Sequence, residues 1–392
     1  MVPTRYVNLE SARETHGPVV DRLGPALLRR DPRADEAVHA LAELGPGKAH
    51  AALERALAIQ SGRGPGTFGD VPEAMRALVA EAAELPLWAD ETRMARAGQL
   101  LFRAGIPGGV TLGAKSLLLG YTSPAGNKPL LYSGALTSNV SRRLAETSKF
   151  VSAVAEPGGL LPGGEGFAIT LRVRLIHAQV RSLIDRTHDW RTEDWGEPIN
   201  QHDMMATVLL FSNAWLDGIE ALGVHLRPDE AEDYVHLWRV AGHILGVEHD
   251  LLAATRAEGD RLAEIVRATQ GPPDDDSRTL VRAFFEGPVD AAPDPKSRKA
   301  AARRMQAYAG LTRFLLGDEV SDGLALPKDN WRFAAPALRE IVRRAERLRR
   351  RVPGGERLAV EAGRRHWKTV VELGLDGIPA DFGLPSVLGR AA

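Results

Sequence analysis

GFAITLRVRLIHAQVRSLIDR, residues 166–186, is apolar nearly all round when wound as a helix, through Leu171, Leu175, Ile176, Val180, Leu183 and Ile184. Such a pattern belongs to a helix buried inside a large domain rather than one lying on its surface. Three polar residues interrupt it at helical spacing. Arg174 stands three residues before His177 and Arg181 four after, so at 3.6 residues per turn all three project from one side. One face thus offers an imidazole and two guanidinium groups, and buried arginines need partners. A haem answers both needs: its iron takes a neutral imidazole as axial ligand, and its propionates accept bidentate, charge-assisted hydrogen bonds from arginine. The competing reading is a packed core histidine with arginines that reach solvent.

Outward from this stretch the chain reads as helix after helix. Residues 1–60 are rich in Ala, Leu, Arg and Glu, punctuated by Pro32 and by Gly45, Pro46 and Gly47, and their amphipathic patterns suggest packing onto a body further along. Helices are predicted over 71–85, 88–103, 136–154, 204–222 and 228–245, with Gly246 suited to a helix C-terminus. In 136–154, Arg143, Glu146, Thr147 and Phe150 share a face by spacing; in 204–222, Thr207 and Phe211 lie one turn apart. No internal repeat and no alternating strand pattern is found, so the expected class is all-α: one large helical domain with helical N- and C-terminal extensions. The expected division is 1–84 as N-terminal extension, 85–270 as core, 271–298 as a linker-like excursion, and 299–392 as C-terminal helices packing on the core.

Composition narrows the chemistry. Fifty Lys and Arg balance 51 Asp and Glu for a formal charge of -1, so no global field draws the chain to nucleic acid. The absence of cysteine excludes disulfides, thiolate haem ligation, Cys-held iron-sulfur clusters and Cys nucleophiles. No GxSxG elbow and no HExxH zinc helix is present. GPGTFG at 64–69 matches a dinucleotide fingerprint by letters only, because helix rather than strand precedes it; a turn between helices is expected there. Glu36 and His39 form a lone Glu-x-x-His pair where a di-iron bundle needs two. His236, His243 and His249 gather near Glu232, Glu248 and Asp250, and are read as core or surface histidines rather than metal ligands.

The run RRAERLRRR (343–351), preceded by Arg339, is basic but interleaved with Glu340 and Glu346 and lacks aromatic stacking partners, which reads as a solvated helix face. The first twenty residues hold no apolar run of secretory length, so a cytoplasmic location is expected. The apolar stretch 106–121 is broken by Pro107, glycines and Lys115 and is too short to span a bilayer; interior structure is expected for it.

Read together, RLAET (143–147), RLIHAQVR (174–181), GEPINQHD followed by Thr207, and Trp238 leading into GHILGVEHDLL resemble the haem-dependent oxygenase family of the latex-clearing proteins and the MpaB-type oxygenases, over roughly residues 85–270. The resemblance implies an all-α fold around a b-type haem, with His177 as proximal iron ligand and Arg174 and Arg181 as cofactor-binding residues suited to the propionates. It places Arg143 and Thr147 on the distal side, where dioxygen and substrate meet, and implies oxidation, such as C=C cleavage, of an apolar substrate. Two positions depart from the family. Latex-clearing proteins have a lysine immediately before the threonine, where this chain has Glu146. The region comparable to the one that holds their catalytic glutamate, SPAGNKPLLYSGAL (123–136), contains no acid. Glu146 is therefore the candidate proton shuttle. The expected activity is a haem b oxygenase acting with dioxygen on a small or medium apolar metabolite. The alternatives are a haem carrier or sensor without turnover, and a cofactor-free helical protein that uses its basic helix to bind an acidic partner.

Overall fold

The computed structural model describes residues 2–62, 67–133, 140–328 and 333–385. It is 73% helical, and no strand occurs among the described residues, as the sequence pattern predicts.

The helices that shape the site begin where short polar side chains can accept their first free N–H groups. Asp31 caps Pro32–Glu43, Asp90 caps Glu91–Thr111, and Asn200 caps Gln201–Phe211. The Glu91–Thr111 helix bends at Gly105 (φ 45°, ψ -121°), two residues before Pro107, and runs on through a wide turn at Leu112–Leu117. The apolar stretch expected as interior is thus the continuation of a kinked helix. Val140–Ala155 and Glu165–Asp185 follow; residues 136–139 of the first lie outside the described residues, as do Gly64 and Gly66 of the expected turn. Among the described residues, no helix is long and apolar enough to cross a membrane.

Two expectations need correction. The predicted single helix 204–222 is two helices, Gln201–Phe211 and Asn213–Ala221, broken at Ser212 (φ -96°, ψ -85°). The break is held from outside: the Asn213 side chain donates to the Arg256 carbonyl (2.9 Å) and to Asp260 (2.7 Å). The stretch expected as linker-like with a short helical stretch, LVRAFFE (280–286), inside it carries a longer, 16-residue helix, Asp275–Asp290, capped by Asp274, before Pro295–Leu316 begins.

One continuous apolar core runs from Tyr6 through Trp215 and Trp238 to Trp367, so N-terminal, central and C-terminal helices share it. A smaller core gathers Leu118, Tyr121, Val140 and Phe284. The C-terminal helix Gly355–Leu375 crosses Glu91–Thr111 and Val140–Ala155 at backbone contact. A Cβ at Gly363 would overlap the Phe102 carbonyl oxygen, and one at Gly98 the Ala155 carbonyl oxygen. The Pro32–Glu43 helix packs along Glu165–Asp185, the helix that carries His177.

Candidate functional site

His177 sits in the middle of the buried 21-residue helix Glu165–Asp185. Its Nδ1 is fully buried, and among the described residues neither ring nitrogen has a hydrogen-bond partner and the ring touches no other aromatic. Burial, with a smaller push from the Arg181 guanidinium and against the pull of Asp31, lowers its pKa from 6.5 to about 4. The imidazole is therefore neutral near pH 7, the form that coordinates iron. Two other histidines have an orphaned nitrogen, His202 Nε2 and His243 Nε2, but each has its other nitrogen engaged: His202 Nδ1 with Asp203 at 3.5 Å, and His243 with the Glu84 backbone. Each also packs edge-on against an aromatic ring, Tyr6 and Trp88 respectively. His177 alone of the three has neither tie.

Arg174 and Arg181 are buried, 3% and 1% exposed, as their spacing on an apolar helix requires. Their partners are carboxylates of the chain's own N-terminal helices. Arg174 holds Asp31 in a two-pronged pair (Nε–Oδ2 2.7 Å, Nη2–Oδ1 3.0 Å) and reaches Glu81 at 3.0 Å. Arg181 donates from Nε to Asp35 (2.7 Å) and from Nη1 to the Ile199 carbonyl (3.3 Å). These ion pairs fasten the His177 helix to Pro32–Glu43, while Arg181 Nη2 is buried without a hydrogen-bond partner. Gly246 packs on the Arg174–Asp31 pair with φ 83°, where any Cβ would strike both side chains.

Arg143, Glu146 and Thr147 lie on the helix Val140–Ala155 as expected, but at different depths. Arg143 is half-exposed and Thr147 exposed, its hydroxyl turned back to the Arg143 carbonyl (2.9 Å). Glu146 is 5% exposed and engaged on both oxygens: Oε1 by Arg142 (3.1 Å) and the Asp381 backbone N–H (3.3 Å), Oε2 by Arg143 (3.1 Å). One turn on, Phe150 packs edge-on against Phe211 and Trp238, which stack with ring centres 4.6 Å apart. Phe211, singled out with Thr207, thus belongs to an aromatic wall, while Thr207 bonds back to the Asp203 carbonyl.

The GEPINQHD segment is a clamp. Gln201 donates to the carbonyls of Arg30 (3.1 Å) and Gly246 (2.9 Å) and accepts from the Glu248 N–H (2.9 Å). Asp203 takes both ends of the Arg5 guanidinium at 2.8 Å. Sequence reasoning missed these roles, because only the polar density of the motif signals them.

Among the described residues, no three His, Asp or Glu side chains gather to hold a metal ion. His236, His243 and His249 surround Trp88 instead: Trp88 donates its ring N–H to His249 (2.9 Å), and Arg239 lies 3.9 Å above its face. Among the described residues Glu36 pairs with Arg33 and His39 with Glu43, at the surface. In the basic helix Ala335–Arg351, Glu340 holds Arg344 and Arg347, and Glu346 holds Arg349.

Residues 104–350 match the family described as ER-bound oxygenase mpaB/B'/Rubber oxygenase, catalytic domain. The chain is 26% identical over 266 residues to a rubber oxygenase of Streptomyces sp. (strain K30), covering 66% of this chain and 62% of that relative's length. A solved structure of latex clearing protein LCP in the closed state superposes with a TM-score of 0.69 at 24% identity, over 88% of this chain and 91% of that one, a likeness of fold. The matched region contains Arg143, Glu146, Thr147, Arg174, His177 and Arg181. With nearly two thirds of its length inside the match, the chain belongs to the mpaB/rubber oxygenase catalytic-domain family.

Proposed function

We propose that the chain is a haem-dependent oxygenase that oxidises a small or medium apolar molecule with dioxygen, and that His177 is its iron ligand. The observation that carries this reading is a neutral, half-buried imidazole whose Nδ1 is buried without a hydrogen-bond partner. A buried polar nitrogen without a partner costs roughly 1–3 kcal/mol, and a bound metal removes that cost. Among the described residues no second or third protein ligand stands by, so His177 would be the side chain that holds a haem iron. The fit is partial: His177 would hold the iron, while Arg174 pairs with Asp31 and Glu81 and Arg181 pairs with Asp35.

When bound, haem supplies the iron chemistry that activates dioxygen. The chain's own residues do the rest. Burial and the adjacent Arg181 charge keep His177 deprotonated, and the arginine-carboxylate pairs fix the helix on which the ring sits. Phe150, Phe211 and Trp238 supply an apolar wall next to the RLAET helix, suited to an apolar substrate and to the exclusion of water. Arg143 and Thr147 are exposed polar groups of that helix and are assigned to the oxygen and substrate side.

The test is the visible spectrum of protein purified from haem-supplied cells, oxidised, dithionite-reduced and with carbon monoxide. A Soret band lost or strongly altered in His177→Ala, but retained in His202→Ala and His243→Ala, supports the reading. No Soret band after reconstitution, or one indifferent to His177, overturns it. Substrate-dependent oxygen consumption by the loaded protein then separates an oxygenase from a carrier or sensor.

A further inference from the structure

Beyond the residues that match the family, the chain adds the helix Gly355–Leu375 and, after it, the extended segment 376–385. The helix ends against the RLAET helix, where Gly374 packs on Ala145 so closely that a Cβ would collide. Asp376 (φ 49°) and Gly377 (φ 74°) are both left-handed and turn the chain sharply at this point. The segment then lies across the two helices that carry every candidate site residue. Arg142 Nη2 donates to the Pro379 carbonyl (2.7 Å), Glu146 Oε1 accepts from the Asp381 N–H (3.3 Å), and Gln179, two residues past His177, donates to the Pro385 carbonyl (3.0 Å). Phe382 and Leu384 pack against the main core beneath.

We propose that residues 376–385 form a strap that closes the substrate side of the site, latched by Glu146 and hinged at Asp376–Gly377. The proposal rests on the oxygenase reading for what the site admits. It also gives Glu146 a different task from proton transfer. A carboxylate whose oxygens hold two guanidinium groups and a backbone N–H is a latch, and its burial beneath the strap explains why an acid sits at the foot of an aromatic wall. The strap is built to move as a piece. Pro379 and Pro385 stiffen it and offer carbonyls without N–H groups, so its seat depends on a few side-chain contacts rather than a ladder. Gly377 has open space around its Cα and can absorb the hinge rotation. Opening exposes Glu146 and the flank of the RLAET helix; closing excludes water from them.

Two measurements on the full chain test this, neither of which needs turnover. The first is amide hydrogen exchange. Loss of a charge-assisted latch in Glu146→Ala is expected to speed exchange across 376–385 by about tenfold, with the helix 355–375 unchanged. Arg142→Ala is expected to act in the same direction, and serves if Glu146→Ala does not fold. The second is stopped-flow uptake of diphenylhexatriene, a long apolar fluorophore, which should also quicken about tenfold in the latch variants and in a chain ending at Leu375. Unchanged exchange of the strap in both latch variants, or unchanged uptake when the strap is removed, overturns the proposal. A chain without a Soret band whose strap is nevertheless released in Glu146→Ala, with faster uptake, supports the strap and counts against the haem reading alone.

Discussion

Arg174, spaced on its helix as a ligand clamp would be, pairs with Asp31 and Glu81 and ties the His177 helix to the N-terminal helices. It and Asp31 are each buried, so removing the guanidinium strands a carboxylate that has no other ion pair among the described residues. Breaking such a buried pair costs about 3–5 kcal/mol, far more than the pair contributes over an apolar replacement. Arg174→Ala is accordingly expected to lower the urea midpoint sharply with little change in slope, while a residue that only held a cofactor would shift haem affinity and spare the apoprotein. His177 carries a second prediction. Its imidazole titrates near 6.5 in the unfolded chain and near 4 in the folded one, so between these values the unfolded chain binds the extra proton. Stability from this group is complete above pH 6.5 and declines as pH falls towards 4, by at most about 3 kcal/mol. His236, lowered to about 4 mainly by burial, acts in the same direction. Urea unfolding from pH 7 to 4.5 should therefore show a falling midpoint, with a shallower fall in His177→Gln and a residual fall from His236. The spacing of Arg174, His177 and Arg181 was readable in the sequence because helix geometry is local. Their partners were not: Asp31 stands 143 residues away from Arg174, and no periodicity reports a contact of that range.

At the scale of elements, the sequence revealed helices wherever apolar periodicity was long, and misread them where polar residues or proline carried a second meaning. GPPDDDS reads as linker by composition, yet Asp274 is an N-cap and the acids after it favour the first turn of a helix. Ser212 breaks a run that is apolar on both sides, because Asn213 is held by Arg256 and Asp260 on another helix, a tertiary tie that no local pattern foretells. Glycine was the most informative residue of all once the helices were in place. Gly363 lies where Gly355–Leu375 meets the Phe102 backbone, and nothing at that contact is a flexible side chain able to yield. Gly363→Ala must therefore move a helix rather than a rotamer, against the small gain alanine brings to helix propensity. The expected net effect is a loss of about 3 kcal/mol, read as a lower thermal midpoint. The neighbouring Gly374→Ala, at the strap's root, should in addition disturb the seat of 376–385.

At the scale of the whole molecule, the expected division at residue 84 raises the question of whether the first helices are an accessory or part of the site's foundation. They share one apolar core with the body, in which Leu27, Leu41 and Met75 lie together with Trp215, Trp238 and Trp367. Their polar groups matter as much. Asp31 and Asp35 satisfy the two arginines beside His177, and Arg5 satisfies Asp203 in the GEPINQHD clamp. A chain starting at residue 85 would strip Arg174 and Arg181 of their carboxylate partners and Asp203 of Arg5, each a cost of several kcal/mol against a total stability of about 5–15 kcal/mol. The full chain is expected to unfold in a single transition that circular dichroism and tryptophan fluorescence report at the same midpoint. The 85–392 fragment is expected to give a broad, non-cooperative melt and to take up haem weakly, even though the family match begins only at residue 104. A fragment with a sharp transition of its own would show that the arginines find other partners, and would return Arg174 and Arg181 to the cofactor role their spacing first suggested.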